Sequence, residues 1–246
     1  MISEEMDLSN QVAVITGAGS GIGRAIALAL AKQNVKLALV GRTLEKLQRV
    51  ADEARPAAPE IRCYAADLAC DKQIQKLAGE LQADFGQVDV LVHGAAVFSS
   101  GTVETGSVED LDRLYRVNFR GPYLLTQALL SSLRAQRGQI VFLNSTVGLE
   151  ARGRVAQYAA SKHSLRALAD SLRDEVNGDG IRVLSLYLGR TATPMQVQVF
   201  SNENRDYHPE LLLQPEDVAT VLVTALTLPH TAEVTEIRMR PLAASY

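Results

Sequence analysis

Cysteine is nearly absent from this chain, and its scarcity excludes two kinds of protein. Only Cys63 and Cys70 occur in 246 residues. They form neither a disulfide framework nor a Cys/His pattern with metal-ligand spacing, so two reduced thiols are the simpler reading. The four histidines are also without ligand spacing, and no metal is expected. A basic excess is missing too: the net charge is −3, spread along the chain, which leaves no patch for nucleic acid. No apolar run is long enough to span a bilayer. Residues 1–10 carry Glu4, Glu5 and Asp7 without an apolar stretch, and read as an N-terminal tail rather than a signal peptide. The expectation is a cytoplasmic protein with no nucleic-acid or membrane partner. Linkers rich in Pro, Gly or Ser and internal repeats are lacking as well. One domain over 1–246 fits, of a size that buries roughly 70–75% of its unfolded surface.

What is present is a rhythm. Short β-rich runs occur at Val12 to Ile15, Lys36 to Val40, Ile61 to Ala65, Val88 to Val92, Gln139 to Leu143, Ile181 to Leu186 and Val234 to Met239. Several are almost wholly apolar, as strands covered on both faces are. Between them lie helical periods: Ile22 to Lys32, a segment opened by Thr43 with Leu44 and Leu47, Asp71 to Phe85, and Pro215 to Leu226. Such alternation predicts an α/β fold with a doubly wound parallel sheet.

Two stretches carry chemistry. The first strand runs into Thr16-Gly17-Ala18-Gly19-Ser20-Gly21-Ile22-Gly23. Glycines there let backbone approach a pyrophosphate while the next helix aims its free N–H groups at the phosphates. After the second strand, where an acid would bind the ribose 2′-hydroxyl of NAD, the chain has Gly41-Arg42-Thr43. Without the acid and with a guanidinium in reach, a 2′-phosphate is accepted and NADP (NADPH) is favoured over NAD.

The second stretch places Ser145 just past a buried-looking strand and Tyr158-Ala159-Ala160-Ser161-Lys162 at the start of a helix. Residues four apart share a helix face, so the Lys162 ammonium can sit beside the Tyr158 hydroxyl. A fixed cation lowers a phenol's pKa and makes it a general acid or base, and Ser145 can hold the oxygen that Tyr158 protonates. Composition alone supplies such a Tyr/Lys pair about 0.2 times by chance. It is the serine and the glycine turn that raise its value.

With the glycine turn, Ser145, Tyr158 and Lys162 in this order, the chain resembles the short-chain dehydrogenase/reductase family, in its short single-domain branch. The resemblance spans about 11–241. It implies a Rossmann-type sheet of about seven parallel strands with helices on both faces. It also implies that Tyr158 is the acid/base, that Lys162 lowers its pKa and bonds the nicotinamide ribose, and that Ser145 orients the substrate oxygen. Asn118, in Val117-Asn118-Phe119-Arg120-Gly121, matches the family asparagine that holds a water in the proton relay; a helix-kink residue is the plainer reading. Asp67-Leu68 matches the adenine contact, with an N-cap as its plainer reading. Gly17, Gly19, Ser20, Gly21, Ile22 and Gly23 would bind the pyrophosphate. Gly94, Ala95, Gly189, Thr191 and Thr193 would face the nicotinamide half. Two departures stand out. His93-Gly94-Ala95-Ala96 replaces Asn-Asn-Ala-Gly, with His93 either a cofactor contact or a partly buried, satisfied histidine. Leu188-Gly189 replaces Pro-Gly.

Residues 190–213 read as a substrate lid, a long connection with little periodicity. Met195, Val197, Val199, Phe200 and Tyr207, with Phe98 and Tyr187, are candidates for an apolar pocket; Arg152, Arg154 and Arg190 are candidates for an anionic substrate group. The leading expectation is an NADP(H)-dependent oxidoreductase acting on a small carbonyl or alcohol substrate. A 3-oxoacyl-carrier-protein reductase is the near alternative, and a non-catalytic dinucleotide sensor or scaffold the distant one. The resemblance implies a homotetramer or homodimer.

Overall fold

In a computed structural model, which describes residues 6–242, strand and helix alternate from Val12 onward. The strands are β1 (Val12–Thr16), β2 (Lys36–Gly41), β3 (Ile61–Ala65), β4 (Val90–His93), β5 (Gln139–Ser145), β6 (Arg182–Leu188) and β7 (Glu236–Met239). All pair in parallel, in the order β3-β2-β1-β4-β5-β6-β7. The helices are α1 (Gly21–Ala31), α2 (Leu44–Ala54), α3 (Asp71–Phe85), α4 (Val108–Tyr115), α5 (Gly121–Gln136), α6 (Ala156–Val176), α7 (Pro194–Asn202) and α8 (Pro215–Leu226). This is the expected Rossmann-type α/β fold.

Every residue of β1 is buried, and its alternation explains the apolar runs. Ala13 and Ile15 join a core with α1, α2 and α8, while Val14 joins a second core with α3, α5 and α6 on the other face. A strand covered on both sides has no position at which a charge is solvated.

Several boundaries differ from the sequence reading. β4 starts two residues after the apolar run does, because the N–H of Val88 is taken by the Ser132 hydroxyl at 2.8 Å rather than by a strand. β5 and β6 run further than the apolar pattern, pairing as far as Ser145 with Leu188. β7 is shorter, since its pairing begins only at Glu236. The segment 190–213 contains α7 and a 3-10 turn, Pro209–Leu211. Thr193 starts α7 by accepting the Gln196 N–H at 3.4 Å, and Pro194 follows in the first turn. Of residues 1–10, the first five lie outside the described residues. Leu8 is buried in the α1/α8 core and the Met6 N–H bonds the Thr227 carbonyl at 2.8 Å, so 6–10 pack as part of the fold rather than as a tail.

The order of strands reverses between β1 and β4. The connections leaving these two strands diverge, and a crevice opens above their C-terminal ends. That is where the chemistry-bearing residues meet.

Candidate active site

A cavity of 490 Å³ fills the crevice. One end is built from the turn after β1. Gly17, Gly19, Ser20, Gly21, Ile22 and Gly23 all line it. The turn is tight: a Cβ on Gly23 would sit 2.4 Å from the Gly17 carbonyl oxygen. Ser20 is the N-cap of α1 yet makes no side-chain cap bond, and Thr43 at the start of α2 is the same. Both hydroxyls and both sets of helix N–H groups are therefore free toward the cavity. Arg42 lines this end, as does Lys46, which sequence reasoning missed. Neither forms an ion pair or side-chain hydrogen bond among the described residues. Lys46 stands in the first turn of α2, and only the fold brings it beside Gly19. An anionic dinucleotide fits such a lining: open helix N-termini, two unspent hydroxyls and two unpaired cations.

Asp67 and Leu68 line the same end. Asp67 is not the N-cap of α3, which is Cys70; its carboxylate closes a local turn by accepting the Ala69 N–H at 2.9 Å. Thr16, also missed, joins β1 to β4 beneath the cavity. Its hydroxyl accepts the N–H groups of Gly94 (3.0 Å) and Ala95 (3.2 Å) and donates to the Val92 carbonyl. The backbones approach so closely here that a Cβ on Gly94 would lie 2.6 Å from the Thr16 carbonyl oxygen.

At the other end Ser145, Tyr158 and Lys162 converge on the wall. Ser145 ends β5, and its Oγ accepts the Val147 N–H at 3.3 Å, which leaves its own proton free to donate. Asn144 ties this strand end to α6: Oδ1 accepts the Ser145 N–H (2.8 Å) and Nδ2 donates to the Lys162 carbonyl (3.1 Å). Tyr158 and Lys162 are 9% and 3% exposed.

The electrostatics differ from the sequence expectation. Burial pushes the Tyr158 phenol up to about 12, with the neighbouring Ser145 hydroxyl pulling the other way. Burial also pushes the Lys162 ammonium down to about 8. Instead of bonding the phenol, Nζ donates to the Leu143 carbonyl at 2.9 Å and lies 5.8 Å from the Tyr158 ring centre. For Tyr158, loss of water outweighs the help of the Ser145 hydroxyl.

Gly189, Thr191 and Thr193 close this end from β6 and the start of α7. Asn118 does not line the cavity. It sits in a π-helical segment, Arg116–Arg120, between α4 and α5. Its amide clamps Val97, accepting the N–H at 2.8 Å and donating to the carbonyl at 3.0 Å, and donates to Ser161 on α6. His93 does not reach the cavity either. It is 2% exposed, bonded through Nε2 to the Thr126 hydroxyl (2.8 Å) and stacked on Phe142. Its Nδ1 is buried without a partner.

The apolar candidates divide. Phe98, Met195 and Val199 line the cavity. Val197 faces outward, 47% exposed, and Tyr187 is fully buried in β6. Phe200 and Tyr207 pack edge to face, with Arg190 and Arg205 over the Phe200 ring. Helix phase and burial, neither visible in an irregular sequence pattern, make that division.

Comparison with known proteins decides the family. A model described as short chain dehydrogenase matches residues 11–204. The chain belongs to the short-chain dehydrogenase family. An uncharacterized oxidoreductase of Staphylococcus saprophyticus is 31% identical over 239 residues, covering 96% of this chain and all of the relative. Among solved structures, an alcohol dehydrogenase from the archaeon Thermococcus sibiricus complexed with 5-hydroxy-NADP is 28% identical, with a TM-score of 0.88 over 97% of this chain and 99% of that one. A metagenomic short-chain oxidoreductase in complex with NADP is 31% identical, with a TM-score of 0.83 over 96% and 99%. As a short-chain dehydrogenase, the protein is an oxidoreductase whose similar structures hold NADP-type cofactors. Among the described residues no helix is long and apolar enough to cross a membrane, and no metal-binding cluster occurs.

Proposed function

We propose that this short-chain dehydrogenase is an NADP(H)-dependent carbonyl reductase or alcohol dehydrogenase in which Tyr158 is the acid/base. The observation that carries this reading is the meeting of Ser145, Tyr158 and Lys162 on one cavity wall, opposite a turn suited to a dinucleotide. When bound, the nicotinamide supplies or accepts the hydride at the substrate carbon. In reduction the Tyr158 O–H bond breaks and its proton goes to the carbonyl oxygen, so that C=O becomes CH–OH. The Ser145 hydroxyl donates to that same oxygen and holds it in place. Lys162 would compensate the phenolate that remains, and would hold a ribose hydroxyl of the cofactor when it is bound. Asn118 holds the Val97 backbone beside the reacting centre, and the family's relay water would sit against this segment.

The choice of NADP over NAD rests on Arg42, Thr43 and Lys46 around the place of a 2′-phosphate, and is supported by the NADP-type ligands of the two similar structures. Asp67 and Leu68 would face the adenine, and Gly94, Ala95, Gly189, Thr191 and Thr193 the nicotinamide half. Residues 190–213 would serve as the lid of a single catalytic domain, assembled as a homodimer or homotetramer.

The test is oxidation of NADPH, then NADH, over ketones, aldehydes, quinones and 3-oxoacyl thioesters. The expected result is turnover that favours NADPH and disappears in Tyr158→Phe. NADPH binding with no Tyr158-dependent turnover of any carbonyl would favour the sensor instead.

A further inference from the structure

The sequence leaves three arginines as candidates for an anionic substrate group, and the structure separates them. Arg154 does not line the cavity; it sits in a left-handed turn with φ of 67°, and its carbonyl accepts the Gly101 N–H. Arg190 lines the cavity but is largely committed, with Nη1 alone buried and unpartnered. Its Nη2 bonds both carboxylate oxygens of Glu203, at 2.9 and 2.8 Å, and its guanidinium lies 4.8 Å from the centre of the Phe200 ring. Arg152 lines the cavity too, on the loop that leads from Ser145 to Tyr158, and forms no ion pair or side-chain hydrogen bond among the described residues.

The charges around the Arg190 side lean the same way. Glu203 is the acidic residue at this end of the cavity, and it is shared between Arg190 and Arg205. One carboxylate against two guanidinium groups leaves an excess of positive charge on the Arg190 side of the cavity, in a protein whose net charge is −3. The walls beyond Ser145 and Tyr158 carry Phe98, Val147, Val155, Met195 and Val199, with Thr146 and the Gln196 amide as their polar members. An unpaired guanidinium beside largely apolar walls suits an anion carried on an aliphatic body, because its planar fork matches a carboxylate or phosphate.

Building on the reductase reading above, we propose that the substrate is a carbonyl compound with an aliphatic body and an anionic group, carboxylate or phosphate ester, and that Arg152 recognises that group. The chemistry at the carbonyl is unchanged. The reduction adds a hydride from NADPH to carbon and a proton from Tyr158 to oxygen, and the anionic group takes no part in bond making.

The experiment compares 5-oxohexanoate, its neutral amide and 4-oxopentyl phosphate as substrates with NADPH, in the wild type, Arg152→Gln and Arg152→Lys. Binding of the same compounds to the Tyr158→Phe protein loaded with NADPH is followed by quenching of the reduced-nicotinamide fluorescence. The wild type should prefer an anionic compound over the amide by roughly ten- to a hundredfold in kcat/KM, mostly through KM. Arg152→Gln should bring that ratio near one, Arg152→Lys should keep part of it, and salt should weaken it. Whichever of the carboxylate and phosphate arms is preferred names the anion.

Tyr158-dependent turnover with acid and amide equal, or a preference that survives Arg152→Gln, overturns the proposal and leaves the reductase reading standing. Arg152-dependent binding of the anions without turnover of any carbonyl keeps the site and removes the reductase. Absence of both binding and turnover of these compounds overturns the proposal, and turnover of the wider carbonyl panel then decides the reductase reading separately.

Discussion

At the residue scale the buried tyrosine and lysine make opposite demands on pH. In the ligand-free protein Tyr158, held up at about 12, stays protonated throughout the neutral range, ready to donate. Lys162, held down at about 8, is charged below that pH and neutral above it. Because kcat/KM for NADPH reports groups of the free enzyme, that constant should fall as pH rises through about 8, and its pH profile at saturating carbonyl substrate will show it. Tyr158→Phe should lower kcat by about 10²–10⁴ while NADPH still binds, measured by turnover and by fluorescence titration side by side. At the far end of the cavity, Arg42→Ala and Lys46→Ala should each raise the KM for NADPH by roughly tenfold, with that for NADH little changed, since each removes a charge-assisted bond only to the 2′-phosphate. The Tyr158 and Lys162 pair was legible from spacing. The direction of its pKa shifts was not, because desolvation depends on what the rest of the chain packs around the pair.

At the scale of elements, α7 is held over the cavity by few bonds. The Arg190–Glu203 pair, one nitrogen to both carboxylate oxygens, ties the end of β6 to the end of α7, and the Arg190 and Arg205 guanidinium groups both lie over the Phe200 ring. Gln196 Oε1 and Arg190 Nη1 are buried there without partners, each an unmet hydrogen bond that weighs against this arrangement. Glu203→Gln weakens the tie, and backbone amides of 194–202 should then exchange roughly tenfold faster by hydrogen–deuterium exchange, with β1 unaffected. Sequence patterning missed α7 because its apolar residues serve two masters: Met195 and Val199 face the cavity while Phe200 packs against Tyr207. No single stripe at helical spacing results. By contrast α3 and α8, each with one face to one core, were read at their observed limits.

For the whole molecule, the buried His93 couples stability to acid. Burial lowers its pKa from 6.5 to about 3, so the folded chain refuses a proton that the unfolded chain accepts. Its contribution is therefore complete above pH 6.5 and is lost as pH falls toward 3. Urea midpoints of the wild type should drop between pH 7 and 5, and His93→Asn should show a shallower drop, whatever its stability at pH 7. His93 sits where β4 pairs with β1 and β5, opposite Thr16 and Phe142, so the proton is resisted at the centre of the sheet.

The sequence alone determined what depends on neighbours along the chain. Apolar runs between helical periods meant a parallel sheet; glycines after the first run meant a tight strand-to-helix turn; Tyr158 and Lys162 four apart meant one helix face. Those relations are fixed by backbone geometry over a few residues, and they survive whatever the remainder does. Tertiary structure decided what depends on distant ones. It turned Asn118 onto Val97, buried His93 against Phe142, and brought Lys46 beside Gly19. It also left Arg152 unpaired while pairing Arg190 with Glu203. A side chain's solvent, partners and pKa are set by segments far away in sequence, and spacing carries no record of them.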